Sequence, residues 1–71
     1  MPTFEVGMKV VDKQADRNGI GEIKEVTGEG TQMQITVYYP RLANMEPSPM
    51  PEVLYSWGEA VDSLVVIEEP K

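Results

Sequence analysis

From Thr31 to Tyr39 the chain alternates without a break: Met33, Ile35, Val37 and Tyr39 fall on one side, and Gln32, Gln34, Thr36 and Tyr38 on the other. A period of two, carried by β-branched and aromatic side chains, predicts a half-buried strand. It is the longest such signal here, and the chain is read as built around it. Before it, Lys9–Asp12 reads as a first strand, with Gly7 marking a bend. Lys13–Gly19 is polar and closes on Asn18–Gly19, a dipeptide suited to positive φ and hence to a tight turn. Gly19–Val26 predicts a second strand, but its apolar positions Ile20, Ile23 and Val26 break the period, which points to a bend or bulge. Gly28 and Gly30 then supply a hairpin into the central strand.

Pro40 ends that strand, since it donates nothing to a ladder. Residues 40–51 form a Pro-rich loop, long for a compact domain, whose run Glu46–Pro51 favours a polyproline-II path. Glu52–Trp57 reads as a fourth strand and Leu64–Ile67 as a fifth. Gly58–Ser63 is too short for a stable α-helix, so a single 3₁₀ turn is expected there. Met1–Thr3 reads as a loose leader and Glu68–Lys71 as a charged tail. The fold expected over residues 1–71 is one all-β domain: five antiparallel strands, strongly bent into a small barrel, with Ile23, Met33, Ile35 and Val37 in its core.

Composition narrows the function. A chain of 71 residues buries only about 60% of its unfolded surface, so each core residue matters. There is no Cys, hence no disulfide and no thiolate metal site, and no His, hence neither the commonest general base nor the commonest zinc ligand. No apolar run approaches the roughly 18 residues of a membrane span, and a cytoplasmic protein without membrane contact is expected. Twelve acidic residues against six basic ones give a net charge of −6, which disfavours a polyanionic partner.

No catalytic or cofactor constellation emerges. Asp12, Asp16 and Asn18 fit no Ca²⁺ loop, and a solvated turn is the better reading. Ser48, Ser56 and Ser63 have no His to activate them, and Gly28-Glu29-Gly30 lacks the Lys and helix of a phosphate cradle. A non-enzymatic protein without cofactor or metal is expected, and nothing in the pattern specifies an oligomeric state. The candidates for partner contact are Tyr38, which alternates away from the core, the loop residues Arg41, Met45, Pro47, Pro49 and Met50, and Trp57. Tyr38, Tyr39, Tyr55 and Trp57 together suggest an aromatic cage or peptide groove. The competing reading places Tyr39, Tyr55 and Trp57 in the core. The Pro47–Pro51 run is either a ligand for another protein's aromatic groove or a stiff connector.

Five short strands, a Gly-x-Gly entering the second and one helical turn before the fifth resemble the Tudor-like (Src-homology-3-like) small barrels. Phe4–Asp12, Gly19–Val26, Gln34–Pro40 and Val53–Ile67 carry the likeness. They are similar to the N-terminal Tudor-like domain of the bacterial RNA-polymerase-recycling ATPase, with its Phe-x-x-Gly opening, Gly-x-Gly-x-Val second strand and Leu-Tyr before the last turn. The resemblance implies a non-catalytic module that docks on polymerase or on its own ATPase, with nucleic acid nearby. This chain departs from that family by the Arg41–Pro51 insertion, by its acidity, and by holding no ATPase within its 71 residues.

Three functions are thereby expected in turn. The first is a protein-binding adaptor or regulatory subunit in transcription or another nucleic-acid machine. The second is direct nucleic-acid binding, should Lys9, Lys13, Arg17 and Lys24 share a face. The third is an acidic decoy that occupies a partner's DNA-binding surface.

Overall fold

The computed structural model describes residues 4–68; the leader and the tail beyond Glu68 lie outside the described residues. Strands β1 (Lys9–Asp12), β2 (Ile20–Thr27), β3 (Gln34–Tyr38), β4 (Glu52–Ser56) and β5 (Leu64–Glu68) form one antiparallel sheet in the order β4-β3-β2-β1-β5. The central strand of the sequence pattern flanks the middle of this sheet. β4 and β5 are its edges, and among the described residues no ladder joins them. Glu68 is part of β5 and pairs with Lys9, so the charged tail begins one residue later than the sequence suggests.

Two expectations about local structure are corrected. β3 starts at Gln34, because Gly30–Gln32 curl into a 3₁₀ turn closed by i→i+3 bonds from Gln32 N–H to Glu29 and from Met33 N–H to Gly30. Met33 is accordingly half-buried at the margin of the core. The predicted 3₁₀ turn before the last strand is instead a seven-residue α-helix, α1 (Trp57–Ser63), which starts where the fourth strand was expected to continue. A helix this short is marginal alone, and it is held by burying Ala60 and Ser63. Its N-cap residue, Ser56, caps no backbone N–H with its side chain; the hydroxyl instead donates to Glu59 Oε1 at 3.1 Å.

The irregularity of β2 is a bulge between Ile23 and Glu25, as its broken periodicity predicts. Ile23 points inward with no exposure, beside Val10, Ile35 and Val37. Phe4, Met8, Tyr39, Tyr55 and Leu64 complete the cluster. Trp57 packs against this core and meets Phe4 edge-on at 5.9 Å. No helix among the described residues is long and apolar enough to cross a membrane.

One polar chain runs through the core. Tyr55 donates its hydroxyl proton to Asp12 Oδ2 at 2.8 Å, so the Tyr39 hydroxyl, 2.8 Å from Tyr55, must be the donor in that second bond. Asp12 is buried, and Oδ1 accepts the Gln14 N–H at 2.9 Å. The solvated turn expected at Asp12 is therefore corrected: the carboxylate faces the core because a tyrosine from β4 reaches it. Burial is the first cause that pushes both phenols above the ordinary tyrosine value of 10.0.

Truncating Ile35 to Ala should cost about 2–5 kcal/mol, a large share of the stability of so small a domain; an unchanged melting temperature would contradict the central-strand assignment. Tyr55→Phe should cost about 1.5–3 kcal/mol, because it strips a donor from a buried carboxylate, and Tyr39→Phe, at the end of the chain, about 0.5–1.5. Since both folded pKa values are raised, the neutral phenols stabilise the fold in full below the unfolded pKa of about 10, and that contribution drains away as pH climbs above it. Thermal melts above pH of about 10 should show a steep loss in the wild type and a shallower one in either Phe variant.

Candidate functional site

The outer face of the sheet is set by register. Reading across all five strands, Glu52, Tyr38, Glu22, Lys9 and Glu68 are successive partners. Tyr38 stands in this row half-buried, while Val37 and Tyr39 beside it point inward. The bulge leaves Lys24 without a cross-strand partner, and its ammonium sits 5.7 Å from the centroid of the Tyr38 ring, within cation–π range. The same ammonium lies 2.9 Å from Glu22 Oε2, while Lys9 bonds Glu22 Oε1. One carboxylate thus serves two lysines.

Gly19 and Gly21 shape what lies beside this row. A Cβ at Gly21 would come within 2.5–2.6 Å of Val37 and the Tyr39 ring, so the inner position of β2 at this point is filled by its neighbour's aromatic. The alternation then turns Ile20 outward, where it is 56% exposed. Ile20 continues sideways to Val11 and Val65, its successive partners on β1 and β5. Gly19 holds φ +78, and a Cβ there would strike the Arg41 carbonyl at 2.7 Å. The loop after β3 thereby approaches the β1–β2 connection closely enough for Ala43 N–H to bond the Arg17 carbonyl at 2.9 Å.

That loop is more ordered than a polyproline connector. Arg41 bridges Pro47, Leu42 N–H bonds the Glu46 carbonyl, and the chain reverses through Met45 at φ +71. Arg41 Nη1 donates to the Met45 carbonyl at 3.0 Å and clamps the small hairpin. The Tyr39 N–H to Pro51 carbonyl bond, 2.6 Å, closes the loop's base.

Two adjoining recesses result, sharing Ile20 and Pro40. The first, of about 260 Å³, is bounded further by Arg41, Leu42, Ala43 and Met45. The second, of about 320 Å³, is bounded by Tyr38, Lys9, Glu22 and Lys24 over Gly21. Together they make one groove, apolar toward the hairpin and charged toward β1.

The structure brings Tyr38, Arg41 and Met45 together along this groove. Pro47 is exposed behind the hairpin, and Pro49 and the 75%-exposed Met50 follow it; none of the three lines either recess. Trp57 stands apart, because the pairing of β3 with β4 sets Glu52, not Trp57, beside Tyr38, and Trp57 follows the Ser56–Gln34 pair at the far end. The four aromatics therefore do not assemble: Tyr39 and Tyr55 are joined in the core, Trp57 meets Phe4, and Tyr38 alone borders the groove. Lys9 and Lys24 share the groove, whereas Lys13 and Arg17 are exposed on the β1–β2 connection and line no part of it. Ile20, Pro40, Leu42 and Glu22 are site residues that sequence reasoning passed over, and Lys24 was singled out only as one of four scattered cations. An aliphatic side chain between two strand glycines was the signal for Ile20.

No family model, curated protein or solved structure matches the chain.

The hydrogen bonds from Lys9 and Lys24 lower the Glu22 pKa from 4.5 to about 2. A depressed folded pKa means the contribution of these ion pairs is whole above 4.5 and is lost as pH falls toward about 2. Carboxyl-detected NMR titration should place the Glu22 midpoint well below its ordinary value of 4.5, and Lys24→Met should raise it. A Glu22 midpoint at the ordinary glutamate value would dissolve the shared ion pair.

Proposed function

We propose that this chain is a non-catalytic small-barrel module that docks on another protein, as an adaptor or regulatory subunit in transcription or another nucleic-acid machine. The barrel reading is supported by the strand order, by bulges in β1 and β2 that bend the sheet, and by the short helix joining its two edge strands. The Tudor-like resemblance of the sequence points the same way, although fold analogy alone is a weak warrant for function.

The observation that carries the docking reading is the groove itself. Ile20 and Met45 are 56% and 68% exposed, and they stand with Tyr38, Pro40 and Arg41 on one continuous surface. An isolated domain gains little by holding these side chains in water, and aromatic, Met and Arg side chains are enriched where proteins meet. Direct nucleic-acid binding draws support from Lys9 and Lys24 standing side by side, but both ammoniums are tied to Glu22, and the chain's net charge of −6 opposes a polyanion.

Tyr38→Ala should leave folding within about 1 kcal/mol of wild type yet reduce recovery of the natural partner, in quantitative affinity capture, by about tenfold or more. Tyr39→Ala, one residue along and facing the core, should unfold the domain. Equal destabilisation by the two changes, or wild-type capture by the Tyr38 variant, would move the partner surface elsewhere.

A further inference from the structure

The groove is charged against the grain of the chain that bears it. Twelve acidic residues outnumber six basic ones overall, yet the groove is lined by Lys9, Lys24 and Arg41 and by a single carboxylate, Glu22. Glu22 is shared between two ammoniums, so neither lysine is fully neutralised. Arg41 spends one N–H on a backbone carbonyl and bonds no carboxylate among the described residues. Glu52 and Glu68 occupy the two ends of the cross-strand row, on the edge strands, and Glu46 sits in the hairpin; none of the three lines the groove. The depressed pKa of Glu22 is the expected consequence of this local surplus of positive charge.

We propose that the groove takes an extended acidic–aliphatic peptide segment of another protein, an aliphatic side chain seating on Ile20, Pro40 and Met45 and flanking carboxylates reaching Lys24, Lys9 and Arg41. This rests on the docking reading above and names the chemistry of the partner. The apolar recess beside Arg41 matches a hydrocarbon side chain and offers a phosphate nothing but the guanidinium. Single-stranded nucleic acid is the competing polyanion. It would have to stack on a Tyr38 ring whose face already holds Lys24, and approach a domain of net charge −6 within a Debye length of about 8–10 Å. A short segment carrying one or two carboxylates escapes most of that repulsion. Such a groove also gains specificity from rejection, because a lysine-bearing segment would set ammonium against ammonium.

The test is selection of a random-peptide library on the immobilised full chain, with selected peptides then measured against wild type, Tyr38→Ala and the double variant Lys24→Glu/Arg41→Glu, and with oligothymidylate as a separate probe. The selected peptides should pair Asp or Glu with Leu, Ile or Val and shift the amide signals of Ile20–Lys24 and Tyr38–Met45. They should bind the double variant about tenfold or more weakly while its β-sheet amide signals are retained, and lose affinity as salt rises. Peptides rich in Lys, Arg or Pro that still require Tyr38 would overturn the acidic–aliphatic assignment while leaving the docking face intact. Peptides indifferent to Tyr38→Ala, or no selected peptide at all, would overturn both. Oligothymidylate binding in the groove, weakening steeply with salt, would overturn the inference in favour of nucleic acid.

Discussion

The carboxylate of Asp12 is buried at the end of β1, and much of the structure can be read as the means of satisfying it. A buried charge is tolerated only with hydrogen-bond donors around it. One comes locally from the Gln14 N–H and the other from Tyr55, a residue 43 positions along the chain. Tyr55 in turn accepts from Tyr39, so the hydroxyls tie the end of β1, the penultimate residue of β4 and the residue that follows β3 into one line. The geometry propagates outward. Tyr39 lies across β2 where Gly21 leaves room, the two-residue alternation then puts Ile20 outside, and Ile20 becomes the shared wall of both recesses. A polar requirement inside the sheet thus determines which side chain stands on the outer one.

The parts of the fold legible in the sequence were those set by alternation and by special backbone residues. β1 was read at its observed bounds, and the broken period of Ile20, Ile23 and Val26 was the bulge. Gly7 adopts φ +98 at the predicted bend. What escaped is what depends on partners far along the chain. Asp12 looked like one more polar turn residue because nothing local announces Tyr55. Helix α1 looked too short because its length alone was weighed. Its stability comes from Ala60 and Ser63 in the core, a tertiary term that no local propensity contains.

The site divides along the same line. Tyr38 was legible because alternation assigns it to the outer face whatever the register. Arg41 and Met45 were within reach because they follow the strand directly. Trp57 was grouped with them by chemistry, and Pro47, Pro49 and Met50 by following in the same loop; neither ground supplies register. The ladder between β3 and β4 decides the matter, since it carries Trp57 to the end of the pair remote from Tyr38. The hairpin at Arg41–Pro47 was hidden for a different reason: proline composition favours an extended path, but one residue in the left-handed region and one guanidinium clamp suffice to fold it back.

The bulge sets how one of the groove's three cations is held. In the cross-strand row Glu52, Tyr38, Glu22, Lys9 and Glu68, Lys9 is the only cation, and each neighbour is acidic or neutral. In a regular β2 the residue after inward-facing Ile23 would be held in the ladder opposite Thr36, the place that Glu25 takes here. The bulge inserts one residue that owes no cross-strand partner, and that residue is Lys24. Free of the ladder, it leans over Tyr38 and shares Glu22 with Lys9, so a row of three carboxylates and one ammonium gains a second ammonium beside the one carboxylate that lines the groove. The same irregularity that bends the sheet is therefore what frees the second lysine from the ladder and lets it reach both Tyr38 and Glu22.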